Sequence, residues 1–196
     1  MINMSSEKKL LIAYSSVAGC TEEVAKKIAE LIDIPALNVD LLKVNDKKEF
    51  KKFDMDKLTN YDFILLGSSI MVGKLNKNVH QVLEKISETG KQDLKLGLYI
   101  CCMKAYNEEK IEESVQEYIN PSLAGYNLEF DLVDAFGGKL DFSPESKMNI
   151  ITKKLLKKIM VRDNPDVDEV EPKVYDFRDW TQIERFAAAW KEKITS

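Results

Sequence analysis

The 196 residues are 44% hydrophobic and 32% charged, and glycine and proline number only 8 and 5. This composition excludes a low-complexity or disordered chain, and the length suits one domain with a core of its own. The net charge of -4 at pH 7 excludes a general nucleic-acid binder, because no strongly positive field exists to neutralise phosphates. We therefore expect a single domain over residues 1–196 that binds no nucleic acid.

Membrane and metal sites are also not expected. The apolar run near the amino terminus covers only residues 10–14, too short for the core of a signal peptide, and no stretch approaches the ~20 apolar residues of a membrane span. The three cysteines and the single histidine, His80, form neither a disulfide framework nor zinc-ligand spacing. We expect a cytoplasmic protein with reduced thiols, and contact with a membrane surface stays open.

Apolar runs and helical patterns alternate along the chain. The first run, residues 9–14, is continuous, as in a parallel strand buried on both faces. Thr21 is predicted as the N-cap of the first helix, with Glu22 and Glu23 in its first turn. Further strands are predicted at residues 36–42, 62–67, 96–102 and 128–136, and further helices at about 79–86, 108–119 and 180–194.

Five strands alternating with helices predict an α/β fold, a three-layer sandwich around a parallel sheet, because crossovers between parallel strands are right-handed. The simplest strand order is 2-1-3-4-5. In this order ligands bind beyond the carboxyl ends of the strands, at the switch between the first and third strands. The loops at residues 15–21, 68–75 and 103–107 are expected to meet there.

Residues 139–178 are longer than an ordinary connection and are predicted to be an insertion before the last helix. Its second half is an acidic loop, and its first half, 146–162, predicts a basic amphipathic helix. The apolar arc of that helix comprises Met148, Ile151, Leu155, Leu156, Ile159 and Met160, and the opposite arc Lys153, Lys154, Lys157 and Lys158. Such a helix fits an anionic membrane face, a lid over a ligand, or a solvated face of its own domain.

The loop after the first strand is small and polar and leads into a helix N-terminus, which predicts an anion site. Backbone N–H groups and the helix dipole bind phosphate there, Ser15, Ser16 and Thr21 add hydroxyls, and Gly19 permits close approach. A triphosphatase loop would end in Gly-Lys-Ser/Thr, and a dinucleotide fold needs Gly-x-Gly-x-x-Gly. Neither pattern is present, and the first strand lacks the acidic end of a phosphate-accepting receiver domain.

Ser16, Gly19 and Thr21 match Ser/Thr-x-x-Gly-x-Thr, and the chain thereby resembles flavodoxins, which hold the phosphate of flavin mononucleotide (FMN) in this loop. The resemblance implies a flavodoxin-like fold and FMN as cofactor, with chemistry carried by the flavin and no catalytic side chain. Tyr106 is the candidate aromatic contact to the ring. The candidate cofactor-binding residues lie in three loops: Ser15, Ser16, Val17, Ala18, Gly19, Cys20, Thr21, Ser68, Ser69, Ile70, Met71, Val72, Gly73, Cys102, Met103, Lys104, Ala105 and Tyr106.

A closer resemblance is to the menaquinone-dependent protoporphyrinogen oxidase family, also called protoporphyrinogen IX dehydrogenase, whose flavodoxin fold has a long insertion before the last helix. It rests on residues 14–16 with Gly19 and Thr21, on 61–62 with 67–70 and Gly73, on 136–140, and on 179–180 with 185–187. The resemblance implies that electrons pass from a reduced substrate through FMN to a quinone. Residues 141–146 depart from the family's aromatic and arginine-rich run, so the donor stays open.

Three functions remain as alternatives. The first is an FMN-dependent oxidoreductase whose acceptor is a quinone or a redox partner protein. The second is a non-catalytic electron carrier between redox proteins, and the third is an FMN-binding or apo interaction module. Cys20 at a helix N-terminus additionally suggests a redox-sensitive thiol. The sequence does not indicate an oligomeric state.

Overall fold

A five-stranded parallel sheet forms the centre of the molecule. The computed structural model describes residues 7–146, 148, 150–163 and 169–196, with residues 159, 162 and 163 described by backbone alone. The strands lie in the order β2-β1-β3-β4-β5, which confirms the predicted order. Their bounds are β1 Lys8–Ser15, β2 Leu37–Lys43, β3 Phe63–Ser69, β4 Lys95–Cys102 and β5 Leu132–Gly137.

Helices cover both faces of this sheet. One face carries α1 (Cys20–Leu31) and α7 (Trp180–Thr195). The other carries α3 (Lys77–Thr89) and the segment α4 (Glu108–Ser114), a π-helical turn (Val115–Ile119) and α5 (Asn120–Leu123). The short α2 (Lys47–Lys52) and a 3₁₀ turn (Met55–Asn60) lie between β2 and β3.

Alternate residues of the central strands supply the two halves of the core. Leu11 and Ile64 point to the α3 face, whereas Ile12 and Leu65 point to the α1 and α7 face, and all four are fully buried. Trp190 of α7 is also fully buried. The continuous apolar runs in the sequence therefore reflect strands with helices on both sides.

Two predicted elements have different limits in the structure. β5 begins at Leu132 rather than at residue 128. Leu128 and Phe130 are partly buried against the core on the α3 side, but they are not part of the strand. Their apolar character therefore reflects this packing and not strand pairing. The predicted continuous helix over 108–119 changes to a π-helical turn at Val115 and then continues to Leu123. Pro121 has no N–H to donate to the carbonyl of residue 117, which fits a wider turn just before it.

The insertion forms an antiparallel strand pair that the sequence did not predict. β6 (Lys139–Asp141) pairs with β7 (Val174–Asp176), and α6 (Ile150–Asp163) lies between them in the chain. The predicted helix over 146–162 thus begins at Ile150, while Lys147 and Asn149 lie outside the described residues. So does most of the predicted acidic loop, because residues 164–168 are not described.

The buried face of α6 does not coincide with its predicted apolar arc. Leu156 and Met160 pack into a small cluster with Leu140, Phe142 and Val170. Ile151 and Leu155, expected on the same arc, are instead exposed. The side chain of Ile159 lies outside the described residues.

Two lysines explain why a different face of α6 is buried from the one that the sequence predicts. Lys153 Nζ donates to the carbonyl of Ser143 at 3.0 Å, and Lys157 Nζ donates to the carbonyl of Val170 at the same distance. The ammonium of Lys157 also lies 5.8 Å from the ring centre of Phe142. Long lysine stems can cover apolar surface while their charged ends reach a polar partner, so these lysines face inward.

Gly137 is the point at which β5 passes closest to the insertion. A Cβ atom added there would lie 1.9 Å from the carbonyl oxygen of Phe177, and a backbone atom cannot turn aside as a side chain can. Gly137→Ala is expected to lower the free energy of unfolding by about 1–3 kcal/mol in urea denaturation. Gly125→Ala is the matched control, since nothing lies within 4 Å of its added Cβ. Equal losses in the two variants would contradict this packing.

Candidate functional site

The candidate site lies at the carboxyl edge of the sheet, where three loops begin. The strand register sets Ser15 beside Ser68 across β1 and β3, and Ser69 beside Cys101 across β3 and β4. The loops that follow these strands therefore start side by side, as the predicted topology requires.

The turn from β1 into α1 presents free backbone donors. Gly19 takes a left-handed conformation with φ 86°, and α1 begins at Cys20. The first helical hydrogen bond runs from the Glu23 N–H to the Gly19 carbonyl at 2.9 Å. The N–H groups of residues 20–22 thus have no partner within the helix and lie at its positive end.

Thr21 is not the helix N-cap that the sequence predicts. Gly19 occupies that position, and Thr21 lies in the first turn with its side chain fully buried. The prediction was wrong because the left-handed glycine starts the helix two residues earlier than a threonine cap would. The hydroxyl of Thr21 lies near the Cys101 thiol but makes no hydrogen bond of normal geometry with it.

Four buried hydroxyls at this edge lack a hydrogen-bond partner within the described part of the chain. They belong to Ser15, Ser16, Thr21 and Ser69, and each oxygen is shielded from solvent. A buried hydroxyl without a partner is costly and rare in folded proteins. Ser15, Ser16 and Thr21 belong to the segment that joins β1 to α1, and Ser69 ends β3. Three such hydroxyls beside one helix N-terminus indicate a site for a group rich in hydrogen-bond acceptors, such as a phosphate.

Two glutamates in the first turn of α1 would repel such an anion if they were unpaired. Glu22 contacts Lys26 at 2.8 Å and Lys43 at 2.6 Å. Hydrogen bonds from these two lysines hold the pKa of Glu22 below its usual value. This carboxylate is therefore balanced by nearby cations.

Glu23 is paired with two cations of the insertion. Lys139 and Arg178 each approach its carboxylate at 2.8 Å. Partial burial raises the pKa of Glu23, but the hydrogen bonds from Lys139 and Arg178 outweigh it, so that its pKa is lowered overall. Arg178 also pairs with Asp176 at 2.6 Å and is almost fully buried. The insertion thereby attaches directly to the helix that begins the site.

Asn45 is a positioning residue that sequence reasoning missed. Its side-chain carbonyl accepts from the Ser16 N–H at 2.9 Å, and its amide donates to the Ser16 carbonyl at 2.9 Å. This pair of bonds fixes the backbone of the loop after β1. The sequence shows an asparagine just after a predicted strand. It does not show that the partner of this asparagine lies 29 residues away, at Ser16.

The loop after β3 ends in a tight turn. Met71 and Lys74 exchange two backbone hydrogen bonds at 3.1 Å, and the residues between them both have positive φ, 52° at Val72 and 72° at Gly73. A β-branched residue rarely adopts this conformation. Val72 is 95% exposed at the tip, where it can contact a ligand.

The loop after β4 is held from two sides. Lys104 pairs with Glu113 at 3.2 Å and hydrogen-bonds Glu117, both in the helical segment that follows. Met103 packs against the apolar cluster of the insertion. The Cys102 thiol lies 3.6 Å from Ser114 Oγ, and it also interacts with the backbone of Lys104 and Ala105, so it lies between this loop and α4. Tyr106 is exposed.

Tyr118 is a second aromatic residue near these loops, and the sequence reasoning did not select it. It lies in the π-helical turn, and its ring atom Cε1 would be 3.9 Å from a Cβ atom at Gly73. Burial, together with the hydrogen bond to Glu117, raises the pKa of Tyr118. The 3.6-residue period of an α-helix does not predict that Tyr118 faces these loops, because the wider π-helical turn redirects its side chain.

The Cys20 thiol is buried in the first turn of α1. A hydrogen bond with Cys101 and the nearby charge of Arg178 lower the pKa of Cys20, although burial opposes this change. Burial raises the pKa of Cys101 well above its usual value. A redox-sensitive role for Cys20 stays a prediction.

Neither a membrane-spanning helix nor a metal cluster is found among the described residues. None of their helices is both long and apolar enough to cross a bilayer. No three histidine, cysteine, aspartate or glutamate side chains within these ranges are grouped to hold a metal ion.

The sequence matches a protein family model and is similar to other known sequences. A family model described as a flavodoxin domain matches residues 11–168. An uncharacterized protein of Methanocaldococcus jannaschii is 36% identical over 85 residues, which are 43% of this chain and 49% of that protein. The match thus spans about half the length of that relative.

Solved structures show the same fold at low sequence identity. Oxidised flavodoxin 2 from Bacillus cereus has a TM-score of 0.52 at 21% identity, with 94% of this chain and 99% of that chain covered. Rubredoxin oxygen:oxidoreductase from Desulfovibrio gigas has a TM-score of 0.54 at 14% identity, with 96% of this chain but only 37% of that chain covered. These similarities establish the shared fold alone.

Thr21→Val tests whether the partnerless hydroxyls belong to a ligand site. Valine has nearly the same shape, so the ligand-free protein is expected to be as stable as the wild type or more stable by up to ~1 kcal/mol. The affinity for FMN is expected to fall by about two- to tenfold through loss of one donor. Urea denaturation and fluorescence titration measure the two quantities. Lower stability with unchanged affinity would show that the hydroxyl serves the fold.

Proposed function

Because the chain belongs to the flavodoxin domain family, we propose that it is an FMN-dependent oxidoreductase. Bound FMN would supply the redox chemistry by which a reduced substrate gives electrons to an acceptor such as a quinone. The observation that carries this proposal is the group of partnerless hydroxyls around the N-terminus of α1, since they fit the one anionic end of FMN.

The phosphate of FMN fits the loop after β1. Amides of residues 20–22 and the hydroxyls of Ser15, Ser16 and Thr21 supply donors, and Gly19 leaves room for close approach. The pairing of Glu22 and Glu23 with lysine and arginine removes the nearest source of repulsion. No cation needs to touch the phosphate itself, because helix amides suffice for binding.

The flavin ring fits between the loops after β3 and β4. Backbone of residues 69–73 and 102–106 would flank it, with Met71, Tyr106 and Tyr118 as apolar or aromatic neighbours. When bound, FMN supplies hydride and single-electron chemistry. The chain then binds, orients and shields the cofactor, and none of its side chains is assigned a proton transfer.

The insertion favours an enzyme over a simple carrier. Its apolar cluster includes Met103 of the loop after β4, so it adds a wall beside the proposed ring position. The resemblance to the protoporphyrinogen oxidase family suggests a porphyrinogen donor. However, residues 141–146 replace that family's aromatic and arginine-rich run, and their aromatic residue, Phe142, is buried in the apolar cluster. In the same segment, the carboxylate of Asp141 accepts hydrogen bonds from the backbone N–H and the hydroxyl of Ser143, at 3.0 and 2.6 Å. We therefore define the donor only as a reduced substrate.

An electron carrier between redox proteins is the second candidate, and one surface favours it. An open cleft of about 520 Å³ flanks the loop after β4. It is lined mainly by carboxylates: Lys104, Glu109, Glu112, Glu113, Gln116 and Glu117. Such a surface suits a basic partner protein.

Absorbance and quinone reduction separate these functions. The protein with added FMN is expected to show the visible spectrum of a bound flavin and to reduce a soluble menaquinone analogue when protoporphyrinogen or another small reduced substrate is supplied. A flavin spectrum with electron transfer only from a ferredoxin or a reductase would instead favour the carrier. A protein that stays colourless with added FMN would refute both.

Gly19→Asp is expected to abolish FMN binding, because it sets a carboxylate against the phosphate. Gly19→Asn is the matched control, since asparagine has the same shape, carries no charge and tolerates a left-handed conformation. The dissociation constant of the aspartate variant should exceed that of the asparagine variant by at least about tenfold. Equal affinities, measured by fluorescence titration, would refute the assignment of this loop.

A further inference from the structure

The outer face of α6 carries apolar side chains that no other described residue covers. Ile150, Ile151 and Leu155 are 71%, 78% and 57% exposed, and Val161 is exposed to a smaller extent. Exposed apolar residues that adjoin one another on a helix mark an interaction surface more often than scattered ones do.

Lysines separate these apolar residues. Lys154 and Lys158 are exposed, and at 100° per residue they fall within the arc that joins Ile150 to Leu155. Lys153 and Lys157 turn inward to backbone carbonyls and do not contribute to this face. Residues 150–161 include no aspartate or glutamate, so the outer face is apolar and positive although the whole chain has a net charge of -4.

We propose that this face of α6 binds the surface of an anionic lipid bilayer. Apolar side chains interspersed with lysines on a convex helix suit a flat interface, where the former enter the acyl boundary and the latter meet lipid phosphates. A second copy of the chain is disfavoured, because two such faces would bring lysines against lysines. A protein partner would need a groove lined with carboxylates.

The inner face of the same helix links this surface to the candidate cofactor site. Leu156 and Met160 pack in the cluster that also contacts Met103, in the loop after β4. Binding through the outer face therefore leaves the contacts of the inner face in place. The bilayer proposal does not depend on FMN, although it would bring a lipid-soluble acceptor close to the site.

Flotation of the full chain with lipid vesicles tests the proposal. Vesicles of phosphatidylcholine with about one-third phosphatidylglycerol are expected to carry the protein, whereas phosphatidylcholine alone should carry at least about tenfold less. Binding should weaken as salt is raised from about 0.05 to 0.5 M, since the Debye length shortens. Equal recovery on both vesicles, or on neither, would overturn the proposal.

Three variants locate the contact. Lys154→Glu with Lys158→Glu, and separately Ile151→Ser with Leu155→Ser, are each expected to reduce vesicle binding at least about tenfold. Lys51→Glu with Lys52→Glu on α2 makes the same charge change at exposed positions and should leave binding within about twofold. Circular dichroism and FMN titration check that each variant is folded and that the cofactor site is intact.

The controls distinguish the other occupants. An equal loss in the α2 variant would show general charge attraction and overturn the assignment to α6. Concentration-dependent dimers in size-exclusion chromatography that disappear with Ile151→Ser and Leu155→Ser, without vesicle binding, would show that a second copy covers the face. Loss of FMN binding with vesicle binding retained would refute the proposed function and leave this inference standing.

Discussion

The N-terminus of α1 imposes the constraint on which the candidate site depends. The N–H groups of residues 20–22 have no partner within the helix, and four buried hydroxyls without a partner lie in or beside the loops at the carboxyl edge of the sheet. Such a concentration of donors is unfavourable without an acceptor. The left-handed Gly19, the two hydrogen bonds between Asn45 and Ser16, and the ion pairs of Glu22 and Glu23 maintain this arrangement. Together they support the proposal that this loop binds an anion.

The insertion and the site form one mechanical unit. Glu23 joins the first turn of α1 to Lys139, the first residue of β6, and to Arg178, which follows β7. Gly138 approaches Met103, with only 2.7 Å between an added Cβ atom and its sulfur. The outer face of α6 belongs to the same unit. A change at the insertion is thus expected to reach the loops after β1 and β4 through direct contacts.

Local patterns in the sequence predicted the sheet, its order and the small polar loop from β1 into α1, because burial on both faces of a strand and small residues at a helix start leave local signals. The departures came from distant contacts. Lys153 and Lys157 face inward because they donate hydrogen bonds to the carbonyls of Ser143 and Val170. β6 pairs with β7 across 32 intervening residues. Tyr118 reaches Gly73 only through a π-helical turn. None of these contacts has a periodic signature.

The proposed function requires the loop at residues 15–21 to bind the phosphate of the cofactor. The most direct measurement compares FMN with riboflavin, which has the same ring and no phosphate, by fluorescence titration of the wild-type protein. FMN is expected to bind at least about a hundredfold more tightly, since several charge-assisted hydrogen bonds are made only by the phosphate. Equal affinities for FMN and riboflavin would contradict the account.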